Sequence, residues 1–110
     1  MMEVLTACSG VPTVRLDGRY LHSPRDPVRE AQRAVADLAR REPPCVVMLG
    51  FALGYHAEAL LNETESTVLI VYEPDSDLQD QLERARDLTD IRKAPRVVWT
   101  TSPDELQSAL

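Results

Sequence analysis

Cys45-Val46-Val47-Met48-Leu49-Gly50-Phe51-Ala52-Leu53-Gly54-Tyr55-His56 is the stretch on which the fold turns. Its first five residues form an unbroken apolar run, as expected for a strand covered on both faces within a parallel sheet. Gly50 and Gly54 then bound a tight turn, where the backbone doubles back and bulky side chains do not fit. Ala57, Leu60 and Leu61 follow on one side of a helix. A strand, a glycine turn and a helix are the opening of a βαβ unit. Two more such pairs follow.

Thr67–Tyr72 reads as the second strand, and Leu78, Leu82 and Ala85 mark a helix entered through Pro74-Asp75-Ser76-Asp77. Arg96–Thr100 reads as the third strand. Ser102-Pro103-Asp104-Glu105 is a capping-box start, with Ser102 as cap and Glu105 three residues on, ahead of Leu106, Ala109 and Leu110. The alternation βαβαβα predicts an α/β fold, a truncated Rossmann-like three-layer half-sheet with parallel strands and right-handed crossovers.

Upstream, Val14-Arg15-Leu16 and Arg19-Tyr20-Leu21 flank Asp17-Gly18, a pair suited to a type I′ hairpin turn. That register sets Val14 against Leu21 and Arg15 against Tyr20. Asp26 and Pro27 then supply the cap and first position of a helix carrying Val28, Ala31, Val35, Leu38 and Ala39. Pro43-Pro44 stops it. The boundary there divides the chain into residues 1–44, a β-hairpin plus helix, and residues 45–110, the Rossmann-like half-domain. Charge changes at the same point, from net +1 before it to net −7 after it.

The whole chain, 110 residues at net −6, has no basic stripe, which argues against nucleic acid or an anionic membrane as partner. Its longest nearly continuous apolar run, Cys45–Tyr55, has 11 residues, short of the ~20 that span a bilayer. Cys8 and Cys45 are too few and too distant for a metal site or a disulfide framework. Cys45, opening an apolar strand, is expected to be a buried reduced thiol, which fits a cytoplasmic setting.

The candidate site lies at the carboxyl ends of the strands. Gly50, Ala52 and Gly54 form a GxAxG turn, and Tyr55 and His56 open the helix whose free N–H groups face a polar or negative ligand. Tyr55 stands where a GxGxxG fingerprint needs a small residue, so NAD is disfavoured. Glu73 ends the second strand, 19 residues after Gly54, where a carboxylate can accept hydrogen bonds from ribose hydroxyls. The plainer alternatives are a turn built only for packing, and an acid joining Asp75 and Asp77 at a helix N-terminus. His56 faces the crevice as a donor or acceptor, though a lone histidine is more often packing or surface. His22, beside Ser23, carries less information still. Arg25, Arg29 and Arg33 align on one helix face, the usual pattern of a solvated surface.

Thr13–Leu16, Tyr20-Leu21-His22-Ser23-Pro24-Arg25-Asp26-Pro27-Val28-Arg29-Glu30-Ala31, Leu49–His56 and Tyr72-Glu73-Pro74-Asp75 together resemble the N-terminal domain of Maf-type proteins. These are motility-accessory, flagellin-modifying, glycosyltransferase-like proteins related to the MptE-like family. The resemblance covers residues 9–90 and implies a Rossmann-like domain ahead of a larger catalytic domain. The second half also looks methyltransferase-like, similar to the opening of class I S-adenosylmethionine methyltransferases. Residues 50–54 match their glycine motif with Ala52 substituted, and Glu73 matches their ribose-binding acid. Met48 and Thr100-Thr101-Ser102 depart from that family, and its later strands have no counterpart.

Three functions follow as expectations. The first is a Maf-like N-terminal module, non-catalytic alone, that binds S-adenosylmethionine or another nucleoside-containing ligand without metal. The second is a methyltransferase fragment completed by a partner. The third is an assembly or adaptor domain with no small-molecule site. In a half-sheet of order 3-2-1, strand Cys45–Leu49 has an unpaired apolar edge. The hairpin, a second copy of the chain in a homo-oligomer, or a downstream catalytic domain is expected to cover it. An edge open to water would count against that strand order.

Overall fold

Local chemistry sets the element boundaries in the computed structural model, which describes residues 1–110. The chain begins with β1 (Met2–Thr6), β2 (Pro12–Leu16) and β3 (Arg19–Tyr20), an antiparallel sheet in the order β1-β2-β3. Asp17 and Gly18 take φ values of 50° and 83°, the paired positive angles of a type I′ turn. Arg15 pairs with Tyr20, and the Leu21 N–H donates to the Val14 carbonyl at 3.0 Å. The expected register is present. Strand β1 was not foreseen, because Met2–Thr6 alternates too weakly to mark a strand. It is held by Val4 opposite Val14 and by the Glu3 carboxylate, which accepts from Arg15 at 2.8 Å.

Helix α1 (Pro27–Arg40) starts where the Asp26 carboxylate accepts from the Arg29 N–H at 3.0 Å, with Pro27 in the first turn. It buries Ala31, Val35 and Ala39 while Arg25, Arg29 and Arg33 lie exposed. The α/β half then runs β4 (Cys45–Leu49), α2 (Tyr55–Glu63), β5 (Val68–Tyr72), α3 (Ser76–Ala85), a single turn α4 (Thr89–Arg92), β6 (Val97–Thr100) and α5 (Pro103–Ala109). Its three strands are parallel in the order β4-β5-β6, the 3-2-1 order of a truncated Rossmann-like half. Ser102 caps α5 by accepting from the Glu105 N–H at 3.2 Å; Glu105 reaches back to the Thr101 N–H at 2.9 Å, one residue earlier than the standard box. Helix α4 is one turn, too short to show a period in sequence.

One core runs through both halves. Val14, Ala31 and Val35 meet Ala57 and Leu60 of α2, Leu69 and Val71 of β5, Leu82 of α3, and Leu88 and Ile91. Each large aliphatic side chain buried there stabilises by about 1.5–3 kcal/mol. Arg96 locks the lower end of the α/β half. Its guanidinium donates to the Leu61 carbonyl at 2.6 Å and the Thr67 carbonyl at 3.0 Å, satisfying helix-end and strand-start carbonyls together.

Strand β4 departs from expectation. It is covered on one face only: Val46 and Met48 pack on the core, whereas Val47 is 38% and Leu49 77% exposed. Cys45 shares the uncovered face, so its thiol is exposed rather than buried. The reason is position: β4 is an edge strand, and the helices that seal the core lie against its other face. The hairpin does not pair with that edge, because β1–β3 close into a sheet of their own. The strand order nevertheless stands as expected, so an open edge is no argument against it.

Candidate functional site

The glycine turn is built from alternating left-handed residues. Gly50, Ala52 and Gly54 have φ of 88°, 50° and 77°, which explains why small residues recur at every second position. Ala52 is the one with a Cβ. Replacing it with glycine is expected to raise folding stability by about 0.5–1 kcal/mol, since the relief of left-handed strain exceeds the entropy that glycine adds to the unfolded chain. Urea unfolding of Ala52→Gly checks this.

Leu53, at the turn's apex, is clamped from both sides. Its N–H donates to Nε2 of His22 at 3.0 Å, and its carbonyl accepts from Nη1 of Arg86 at 2.7 Å. Arg86 also pairs with Glu58 at 2.9 Å and lies over the Tyr55 ring at 4.2 Å. Tyr55 is buried, and its hydroxyl donates to the Pro12 carbonyl. The turn is therefore tied to the N-terminal sheet through Tyr55 and His22, and to the segment after α3 through Arg86.

His22 is the side chain that sequence reasoning undervalued. It is 3% exposed, sits edge-on to Tyr55 at 5.0 Å and stacks near His56 with ring centres 5.7 Å apart. Burial, aided by His56 and Arg86, lowers its pKa from 6.5 to about 4. The ring is thus neutral at pH 7. Because Nε2 accepts from Leu53, the proton resides on Nδ1. That Nδ1 is buried and has no hydrogen-bond partner.

A cavity of about 480 Å³ opens beside the turn. Gly50, Ala52, His56 and Glu73 line it together with His22, over an apolar wall that includes Leu16, Val35, Met48 and Leu82. Four of the six residues expected at the site therefore meet at one cavity. Gly54 and Tyr55 serve it from behind: Gly54 packs on Leu88 and Phe51, and Tyr55 anchors the turn. Glu73 follows β5 and is 8% exposed, and its Oε2 accepts from the Asp75 N–H at 3.1 Å. It thus braces the entry to α3 and also lines the cavity. Nowhere do three or more His, Cys, Asp or Glu side chains converge as metal ligands would. No helix is long and apolar enough to cross a membrane.

A family model, the glycosyltransferase Maf N-terminal domain, matches residues 13–79. The chain belongs to this family. The match runs from β2 into the first turns of α3, so the hairpin, the glycine turn, His22, His56 and Glu73 of this Maf N-terminal domain all lie inside it. Strand β6 and helix α5 lie beyond it. No curated protein and no solved structure matches the chain.

Two contributors to the site escaped sequence reasoning in different ways. His22 lies in the Leu21-His22-Ser23 stretch that carries the Maf resemblance, so a signal existed. Arg86 gave none. Its role depends on α3 ending where it does, 33 residues away from the carbonyl it holds.

Proposed function

We propose that this Maf N-terminal domain is a non-catalytic module that binds a nucleoside-type ligand in the cavity between the glycine turn and Glu73. The observation that carries this is that His22, whose buried Nδ1–H has no partner, and Glu73, a buried carboxylate, line the same apolar cavity. A neutral donor and an anionic acceptor suit a ligand that offers both an acceptor and hydroxyl donors. An unmade hydrogen bond to a buried N–H costs about 1–3 kcal/mol, which a ligand acceptor recovers. Glu73 favours a vicinal diol or a cationic group such as a sulfonium over a polyphosphate. Binding rather than catalysis is favoured because His22 is committed to Leu53 through Nε2 and stays neutral to about pH 4. It therefore cannot serve as a base poised near neutrality.

Titration calorimetry with adenosine and S-adenosylmethionine tests this. Glu73→Gln keeps an acceptor for the Asp75 N–H but loses the charge, and is expected to weaken binding about 10-fold or more, the weight of a charge-assisted hydrogen bond. ATP is expected to bind no better than adenosine. Absence of binding at millimolar ligand, or indifference to Glu73→Gln, would refute the nucleoside site and leave an assembly role.

A further inference from the structure

A second, smaller pocket shares Glu73 as a wall. It holds about 180 Å³ between α3, β6 and the turn α4, and is lined by Gln79, Asp80, Arg92, Trp99 and Thr101. That space is well above what a single structural water needs. Gln79 projects from the first turns of α3 and is 2% exposed, yet neither its Oε1 nor its Nε2 has a partner. A buried carboxamide left wholly unpaired is rare, because each orphaned group loses its hydration without compensation. The Gln79 carboxamide therefore brings an uncommitted donor and acceptor to this pocket.

The pocket's chemistry narrows what they would bind. Gln79 offers a donor beside an acceptor, the pattern that pairs bidentately with a base edge such as that of adenine. Arg92 does not make the pocket an anion site. Its guanidinium covers the Trp99 ring at 4.0 Å, and Nη1 donates to both Glu83 oxygens at 2.8 and 3.1 Å. Glu73 and Asp80 disfavour an anion further. A neutral planar heterocycle with adjacent donor and acceptor fits.

We infer that Gln79 reads the base of the ligand, with the base in the smaller pocket, the sugar diol at Glu73, and the 5′ end in the larger cavity beside the glycine turn. This rests on the nucleoside reading of the Glu73 site and adds a base subsite to it. The connectivity of a nucleoside supports the arrangement. The base is attached one atom from the diol, and the 5′ substituent leaves the other side of the ring, so a carboxylate shared by two pockets divides the two ends.

The test is a titration of the isotopically labelled 110-residue chain with adenosine and uridine, followed by NMR. Both are expected to shift the Gln79 carboxamide signals, and Gln79→Met is expected to weaken both at least 10-fold. The same variant should melt at a higher temperature without ligand, because two buried unpaired polar atoms are removed. If Gln79→Met proves unfolded by circular dichroism, Gln79→Asn, which keeps a carboxamide but withdraws it by one methylene, is expected to show the same 10-fold loss. If the Gly50 and Gly54 amides move while the Gln79 signals do not, and the Gln79 variants bind within twofold, the base subsite is overturned and the Glu73 site stands. If no signal moves at millimolar nucleoside, both are overturned.

Discussion

Acidification from pH 6.5 to pH 4 is expected to remove about 3 kcal/mol of folding stability through one residue, His22. In the folded chain its pKa is lowered from 6.5 to about 4, chiefly by burial and further by His56 and Arg86. In the unfolded chain the same ring takes up a proton near pH 6.5. Between those values the unfolded state binds more protons, so stability falls as pH falls. A shift from 6.5 to about 4, at ~1.36 kcal/mol per unit, is worth about 3 kcal/mol. Glu42 and Glu105 are lowered from 4.5 by hydrogen bonds from the Glu65 and Thr101 regions respectively, so their losses begin only below that value. The interval from pH 6.5 to 4.5 therefore isolates the histidine. Urea unfolding at several pH values should show the decline there. His22→Gln can still accept from the Leu53 N–H but does not titrate, and its stability should be nearly flat over the same interval. His22→Ala should lose about 2–4 kcal/mol at pH 7, combining an orphaned buried N–H with a cavity, and should also lose the pH slope. Persistence of the slope in His22→Gln would assign the effect to another group.

Why the turn was legible in sequence and its clamp was not follows from range. Gly50, Ala52 and Gly54 declare themselves because left-handed backbone excludes most side chains, a constraint that acts within a few residues. The Asp17-Gly18 hairpin, the Asp26-Pro27 cap and Ser102 were readable for the same reason. Glu73 was readable because strand length and crossover geometry place it at the same sheet end as the turn. His22 and Arg86 act on Leu53 from 31 and 33 residues away, and although a motif surrounds His22, nothing local announces either contact. Strand β4 misled for a related reason. An all-apolar pentapeptide reads as buried on both faces, but coverage of the second face depends on what lies beside the strand, not on the strand. Cys45 was misplaced with it. Gln79 is the same lesson inverted: a polar residue on an amphipathic helix passes for surface until packing places it inside.

Replacement of Gly54 by alanine is expected to cost about 2–5 kcal/mol, the largest loss from any single added methyl group in the turn. Two terms combine. At φ 77° a side chain enters left-handed backbone, which costs about 1–2 kcal/mol. A Cβ there would also lie 3.0 Å from Leu88 Cδ2 and 3.1 Å from two atoms of the Phe51 ring. Neither neighbour can give freely. Leu88 and Phe51 are both buried, and Phe51 is held edge-on against Trp99 at 5.0 Å. Overpacking of this kind costs about 1–3 kcal/mol. Gly50 supplies the control, because its φ of 88° is equally left-handed but nothing lies within 4 Å of its would-be Cβ. Gly50→Ala should therefore show the backbone term alone, about 1–2 kcal/mol. Denaturant unfolding of the two variants separates strain from crowding, and a loss for Gly54→Ala no greater than for Gly50→Ala would mean that the Phe51–Leu88 wall yields. Because that wall backs the turn that forms one side of the cavity, Gly54→Ala should also weaken adenosine binding more than Gly50→Ala if the turn, and not Glu73 alone, shapes the site.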